Sequence, residues 1–194
     1  EERHSVAGES DNATLIAAYN AWGTSFVNQL NGCFVLALFD KKTMRCYVFK
    51  DQVGSKPLFW AVNRGKVFFA SELKGLLASH MIPQIPSLNA IGAYLSVGFF
   101  PRDTTPIKDI NRLLPSHYLE IHLDGRAILR SYTSFHKKAQ DEVPKESDQE
   151  VRDRFDDLLN NSLQKGIRNR RKIGCLLKSD LGFITKYSIH SMIP

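Results

Sequence analysis

The chain has 194 residues, a net charge of +6 and 43% hydrophobic residues, which suits one ordinary domain, or one domain and part of another. No window reaches the roughly 18 apolar residues of a membrane span. The three cysteines have neither paired nor metal-like spacing, as expected in a reducing cytoplasm. The basic cluster at residues 165–172 lacks interleaved aromatic residues and indicates a solvated helix end. We therefore expect a cytoplasmic protein that binds neither nucleic acid nor membrane.

A helix is predicted directly after Ser10 and Asp11. Apolar residues recur there at helical spacing, and Gly23 follows as a stop signal. The periodic residues are Leu15, Ile16, Tyr19 and Trp22. On the residues alone, Asp11 is a first-turn carboxylate that interacts favourably with the helix dipole.

Four short apolar segments then predict antiparallel strands. Residues 33–39 and 45–50 are separated by a polar turn, and residues 57–62 and 67–70 flank Asn63-Arg64-Gly65. The connections are too short for the crossover helices that parallel strands require. Cys33 and Cys46 lie in these apolar segments and are interpreted as small packed hydrophobic residues.

Serine residues mark two further helix starts. Ser71 is predicted to cap a helix that begins at Glu72, and Ser87 a second helix that ends at Gly98. Ser96 near the end of that helix is interpreted as structural. His117 is likewise interpreted as a strand residue, because no spacing in the sequence implies a catalytic partner for either side chain.

The last part of the chain changes character. Residues 118–123 and 126–132 predict a hairpin around Asp124-Gly125. Residues 136–149 read as a charged linker. Ser147 and Glu150 form a capping box for a helix with an apolar face, which consists of Val151, Phe155, Leu158, Leu159 and Leu163. A final strand is predicted at residues 173–177, as at the start of an α/β unit.

Several short motifs occur in a fixed order. They are Leu30-Asn31-Gly32, Asp51 with Gly54, Lys56-Pro57-Leu58 and residues 69–74, which read FASELK. Together they resemble the glutamine-hydrolysing asparagine synthetases. The similarity continues through residues 94–101 and 110–119, and it covers residues 8–177 in all.

This resemblance implies an α+β fold, a four-layer αββα glutaminase sandwich of the Ntn type that is incomplete at its N-terminus. It implies that residues 1–135 are the C-terminal part of a class II glutamine amidotransferase domain and residues 136–149 a linker. Residues 150–194 would begin an asparagine-synthase ATP domain, with its first helix and strand. The reaction of the family converts ATP, aspartate and glutamine to asparagine, glutamate, AMP and pyrophosphate.

The resemblance also assigns individual residues. Asp11 matches the aspartate that holds the glutamine substrate, and its carboxylate suits the ammonium group of a free amino acid. Leu177 aligns, weakly, with a residue whose backbone lies near adenine. ATP and magnesium are implied by the family, although tight binding to this chain is not expected. A homodimer remains open.

The sequence departs from the family where the chemistry is expected. It opens at Glu1 rather than at the cysteine nucleophile, and residues 178–183 replace the glycine-rich pyrophosphate loop. We therefore expect no catalytic residue in this sequence, no metal ligand and an inactive fragment truncated at both ends. The alternatives are a decayed amidotransferase-like binding or scaffold module, and a fragment of a relative that amidates a sugar, peptide or β-amino acid.

Overall fold

The computed structural model describes residues 11–133 and 146–167. The chain divides into two compact units, Glu1–Lys138 and Ala139–Pro194. The predicted strand at residues 173–177 and most of the predicted linker lie outside the described residues.

The described part of the first unit alternates short helices with two groups of strands. In chain order its elements are α1 (Asp11–Trp22), a 3-10 helix (Gly23–Gln29), β1 (Val35–Asp40), β2 (Arg45–Lys50), β3 (Phe59–Asn63), β4 (Lys66–Ala70), α2 (Leu73–Ala78), α3 (Leu88–Val97), β5 (Ile110–Arg112), β6 (His117–His122) and β7 (Ala127–Ser131).

The strands form two antiparallel sheets. The first sheet has the order β1-β2-β6-β7 and the second has the order β4-β3-β5. Neighbouring strands pair antiparallel in both, with Val48 opposite Leu119 in the first sheet and Ala61 opposite Ile110 in the second. The antiparallel prediction is therefore confirmed, and the fold is mixed α+β.

Alternating side chains of the first sheet enter two different cores. Tyr47, Phe49 and Tyr118 pack against the 3-10 helix and one side of α1. Val48 and Leu119, on the opposite face of the same strands, pack against Leu58, Leu113 and Trp60 from the region of the second sheet. The first sheet is therefore covered by helix on one face and by the second sheet on the other.

The far face of the second sheet has its own core. Ala61 and Ile110 pack there against Leu76 of α2 and against Ile82, which follows that helix. Within residues 11–133 the packing order is thus α1, first sheet, second sheet and α2.

Helix ends follow the local sequence with one exception. Ser87 accepts a hydrogen bond from the Ala90 N–H at the start of α3, and Gly98 ends that helix with a φ of 79°, so both predictions are confirmed. The prediction that Ser71 caps α2 is wrong. That helix starts at Leu73, one residue later than predicted, so Glu72 occupies the cap position and makes no side-chain cap hydrogen bond.

The described part of the second unit is one helix, α4 (Asp148–Ile167). The capping box is confirmed, because Ser147 donates its backbone N–H to the Glu150 carboxylate over 2.8 Å and its hydroxyl accepts the Glu150 N–H. The predicted apolar face is solvent-exposed at Val151, Phe155 and Leu158.

Candidate functional site

Asp51 follows β2 directly and is the centre of a dense hydrogen-bond network. Its side chain is almost fully buried. The carboxylate accepts backbone N–H groups from Val53, Gly54 and Ser55 in the loop that follows, and from Phe34 just before β1. The Ser55 hydroxyl donates to the same carboxylate. Three of these backbone donors lie in the loop and the fourth, Phe34, precedes β1, so Asp51 fixes the loop to the first sheet.

The electrostatics of Asp51 agree with this role. Burial disfavours its charged form, but the hydrogen bonds from Ser55, Gly54, Val53 and Phe34 outweigh burial and lower the pKa of the carboxyl below its ordinary value. The group is therefore ionised and its oxygens are already occupied by donors. Such a carboxylate stabilises a loop and is poorly suited to act as a general base.

Gly54 allows the same loop to pass close to Pro115. Its φ is +74°, and a Cβ at this position would lie 2.8 Å from the Pro115 side chain. Ser116, the next residue, donates its backbone N–H to the Asp51 carbonyl and its hydroxyl to the Gln52 carbonyl. The motif aspartate and glycine therefore join β2 to the segment that leads into β6.

Lys50 and Tyr132 complete this junction, and no pattern in the sequence indicates either contact. The Lys50 ammonium donates to the Leu113 carbonyl over 2.9 Å, and Tyr132 donates its hydroxyl hydrogen to the Lys50 carbonyl over 2.6 Å. Burial lowers the pKa of Lys50, and burial together with the nearby Asp51 charge raises the pKa of Tyr132 to about 12. Both side chains join segments that are far apart in the chain. Such contacts cannot be inferred from the pattern of neighbouring residues in the sequence.

A polar cleft of about 430 Å³ lies beside Asp51. We call it the amide-lined cleft, because carboxamide side chains dominate its polar lining. The Leu30-Asn31-Gly32 motif and the Asp51 loop, which are separate motifs in the sequence, both line this cleft. Its lining residues are Asn28, Gln29, Leu30, Asn31, Gly32, Phe34, Asp51, Gln52 and Val53.

A second, largely apolar cleft of about 680 Å³ is lined by residues from both sheets. Val35, Val48 and Leu58 form part of its wall, and the exposed Lys56 supplies a charge. Apart from Lys56, the lining residues are uncharged, so the rest of the wall suits an apolar group.

Cys33 also lines this apolar cleft, and the prediction that it is a packed hydrophobic residue is wrong. The strand begins at Val35 rather than at Cys33, which leaves the thiol in the preceding loop, exposed to solvent. The same prediction holds for Cys46, which packs against the core between the sheets. Burial raises the pKa of the Cys46 thiol.

Asp11, the predicted glutamine ligand, is the first residue of α1, and its side chain is solvent-exposed. It lines neither of the two clefts described above. The helix that carries it is held on the first sheet, because Leu15, Ala18 and Tyr19 pack against the aromatic core there. Tyr19 also donates its hydroxyl hydrogen to Asp40 at the end of β1 over 2.9 Å.

Ser96 and His117 behave as structural residues, as predicted. The Ser96 hydroxyl donates to the Gly92 carbonyl within α3, and His117 is the first residue of β6, with its ring Nδ1 2.7 Å from the Pro115 carbonyl oxygen. Leu177, the predicted adenine neighbour, lies outside the described residues.

Two further properties of the described residues bear on function. No group of three or more His, Cys, Asp or Glu side chains is placed to hold a metal ion within residues 11–133 and 146–167. Over the same residues, the helices are too short or too polar to cross a bilayer.

Comparison with known proteins identifies the family. Residues 1–133 match the family model described as a glutamine amidotransferase domain. A putative glutamine-hydrolysing asparagine synthetase of Methanocaldococcus jannaschii is 30% identical over 125 residues, which is 63% of this chain and 24% of the relative. Asparagine synthetase 1 of Bacillus subtilis is 26% identical over 159 residues, 82% of this chain and 25% of the relative.

A third relative, amidase chyE of Penicillium rubens, is 31% identical over 112 residues, 58% of this chain and 16% of that protein. The chain thus spans about a quarter or less of the length of these curated relatives. The family match covers well over half of the chain and includes the Asp51 loop and the helix that begins at Asp11. The chain therefore belongs to the glutamine amidotransferase domain family, in the form found in glutamine-hydrolysing asparagine synthetases.

Proposed function

We propose that this chain is the glutamine-binding part of an amide-forming enzyme of the asparagine synthetase type, with Asp11 as the ligand of the glutamine ammonium group. The observation that carries the proposal is the placement of Asp11: an exposed carboxylate at the start of a helix that is fixed to the first sheet. Such a group binds an ammonium ion through a charge-assisted hydrogen bond.

The fixed position of α1 matters for affinity. A ligand that meets a preorganised carboxylate does not have to order a side chain or a helix on binding. The hydrogen bond from Tyr19 to Asp40 fixes α1 to β1, and Leu15 and Ala18 add apolar contacts. The packing order of helix, two sheets and helix supports the four-layer glutaminase sandwich as the framework for this site.

We assign glutamine binding, and not hydrolysis, to the described residues. A thiol nucleophile needs an adjacent base or a lowered pKa. Burial raises the pKa of Cys46. Cys33 makes no hydrogen bond with a histidine or carboxylate among the described residues, and it lies in an exposed loop that lines the apolar cleft. Neither thiol is therefore equipped to attack the amide of glutamine.

The remaining family functions follow as part of the same proposal. The nitrogen acceptor would be aspartate or another carboxylate, activated with ATP and magnesium in an adjoining domain. Residues 150–194 would begin that domain, after a linker at residues 136–149. Leu177 lies outside the described residues, and the proposed function of the described residues includes no step that involves nucleotide or metal.

Calorimetric titration of the 194-residue chain with glutamine tests the proposal. We expect measurable binding that Asp11→Asn weakens about 10-fold or more, as for the loss of a hydrogen bond to a charged group. Asp109→Asn is the matched control, because Asp109 is also an exposed carboxylate. If the two substitutions weakened glutamine binding equally, Asp11 would not be a ligand of glutamine. Glutamate release that disappears in Cys33→Ala or Cys46→Ala would show that the chain also hydrolyses glutamine.

A further inference from the structure

The pair Asn31-Gly32 combines a side chain and a backbone group that can react with each other. The backbone nitrogen of the residue after an asparagine can reach the carboxamide carbon and close a small cyclic imide. A glycine in that position has no Cβ to hinder the approach and adopts the required backbone angles at low cost. Asn31-Gly32 is the one Asn-Gly pair in the sequence.

The structure leaves both reacting groups accessible. Asn31 and Gly32 are solvent-exposed and lie between the 3-10 helix and β1, outside regular secondary structure. Within the described ranges, neither the Asn31 carboxamide nor the Gly32 N–H makes a hydrogen bond to protein. Nothing lies within 4 Å of the place where a Cβ of Gly32 would be. The pair therefore has no protein contact to break before it reacts.

The reaction is a transfer within the chain. The Gly32 nitrogen attacks the side-chain carbonyl carbon of Asn31, so a new carbon–nitrogen bond forms and that of the carboxamide breaks. The carboxamide nitrogen leaves as ammonia and takes the proton of the Gly32 N–H. Water then opens the cyclic imide at either carbonyl carbon, which gives aspartate or isoaspartate at position 31. Solvent supplies this water, because both residues are exposed.

Asp124-Gly125 can form the same cyclic imide, but the fold engages both of its reacting groups. The Gly125 N–H donates to the His122 carbonyl over 3.0 Å, and a Cβ at Gly125 would overlap the backbone of Gly65. The Asp124 carboxylate accepts the backbone N–H of Arg126 over 3.0 Å and its guanidinium over 2.6 Å. These hydrogen bonds lower the pKa of the Asp124 carboxyl, so the group is ionised and a poor target for a nucleophile.

We propose that Asn31 is a site of spontaneous deamidation in the folded chain, whereas the fold protects Asp124-Gly125. The contrast follows from the surroundings of the two pairs. Both have glycine as the second residue, and both lie outside regular secondary structure. They differ in the hydrogen bonds and the close backbone contact that restrain Asp124 and Gly125.

Deamidation would change the amide-lined cleft, which Asn31 and Asp51 both line. A carboxylate at position 31 would repel the ionised Asp51 across this cleft. The isoaspartyl product also adds a methylene to the backbone shortly before Phe34, whose N–H and carbonyl both bond to Asp51. Both products should therefore weaken the attachment of the Asp51 loop to the first sheet.

Peptide mapping by mass spectrometry tests the proposal on the 194-residue chain, kept at physiological temperature in mildly alkaline buffer with and without urea. We expect Asn31 to convert in the folded chain at a rate close to that in urea, and isoaspartate at position 124 to accumulate in urea alone. Gly32→Ala should slow the conversion of Asn31 by at least about 10-fold, because a methyl group hinders the attack. Gly92→Ala is the matched control, since Gly92 is also exposed with open space at its Cβ position and does not follow an asparagine.

Thermal unfolding of the same samples reports the effect on the fold. The wild type should lose stability as Asn31 converts, while Gly32→Ala kept under the same conditions should not. An Asn31 carboxamide that stays intact in the folded chain, or a conversion that Gly32→Ala does not slow, would overturn the proposal. Isoaspartate that forms at position 124 of the folded chain as fast as in urea would overturn the protective role of the fold, and an unchanged unfolding temperature after conversion would overturn the effect on the Asp51 loop.

Discussion

The Tyr19 hydroxyl donates its hydrogen to the Asp40 carboxylate over 2.9 Å, which joins α1 to the end of β1. Burial and this hydrogen bond both raise the pKa of Tyr19, so the tyrosine stays protonated and can donate at any physiological pH. The same carboxylate accepts the backbone N–H groups of Lys42 and Thr43 in the turn that follows. One aspartate thus fixes both a hairpin turn and the helix that begins with Asp11.

Tyr19→Phe tests this link. The substitution keeps the ring contacts with Phe26 and Tyr47 and removes only the hydroxyl. We expect the free energy of unfolding to fall by about 0.5–1.5 kcal/mol, the usual net value of a hydrogen bond, in urea titrations. Tyr94→Phe is the control, since that ring stacks on Phe100 and its hydroxyl makes no hydrogen bond within the described residues. Equal effects of the two substitutions would show that the Tyr19–Asp40 bond contributes nothing.

Asp51→Asn should be strongly destabilising. An amide has one acceptor oxygen instead of two, and its NH₂ group would face buried N–H donors such as those of Phe34 and Ser55. We expect a loss of about 2–4 kcal/mol in the free energy of unfolding, because buried donors are left without acceptors. Urea titration at neutral pH measures it, and a loss below about 0.5 kcal/mol would contradict the network.

The lowered pKa of Asp51 also predicts that the free energy of unfolding depends on pH. The pKa of Asp51 is lower in the folded state than in the unfolded chain, so its contribution is present above the unfolded value of about 3.9. It is lost as the pH falls through that value towards the folded pKa. Stability should therefore decline more steeply below about pH 4 in the wild type than in Asp51→Asn. Parallel acid curves for the two proteins would contradict this.

Two motif glycines should respond differently to alanine. Gly54 has a φ of +74°, and an added Cβ would contact Pro115, whereas Gly32 lies outside the left-handed region with nothing within 4 Å of its Cβ position. Gly54→Ala should cost about 2–4 kcal/mol through backbone strain and steric overlap, and Gly32→Ala less than about 1 kcal/mol. Thermal unfolding distinguishes them. Similar losses would contradict the close contact between the loop and Pro115.

The raised pKa of Tyr132 predicts that the free energy of unfolding falls at alkaline pH. Its pKa is raised to about 12 in the folded state, compared with about 10 in an unfolded chain. Its contribution is therefore complete below about pH 10 and is lost as the pH rises towards 12. Tyr132→Phe lacks the hydrogen bond to Lys50 and should be less stable at pH 8, but its stability should change less between pH 10 and about 11.5. Equal slopes for the two proteins would contradict this assignment.

The sequence predicted the elements that are set by neighbouring residues. The residues of β2 were predicted without error, because an apolar segment with β-branched and aromatic residues is bounded by turns on both sides. The caps at Ser87 and Ser147 and the stop at Gly98 are equally local. The 3-10 helix at Gly23–Gln29 was missed, since Gly23 was read as an end of helical structure and the chain instead continues in a tighter helix.

Contacts between distant residues were not predictable in the same way. Nothing local shows that β2 pairs with β6, or that the hairpins β1–β2 and β3–β4 belong to different sheets. The short strand β5 was likewise known only as a stretch of family resemblance. At the candidate site, the sequence supplied Asp11 and the motif residues. The packing supplied the partners of Asp51, the buried Lys50 and the fact that two motifs line one cleft.

The contact between Asp11 and the glutamine ammonium group is central to the proposed function, and one binding measurement tests it directly. Glutamine and the analogue that lacks its α-amino group, 4-carbamoylbutanoate, are each titrated into the wild-type chain and into Asp11→Asn. We predict that the wild type prefers glutamine by about 10- to 100-fold, and that Asp11→Asn binds the two ligands almost equally. A preference for glutamine that survives in Asp11→Asn, or a wild-type chain that binds neither ligand, would contradict the assignment of Asp11.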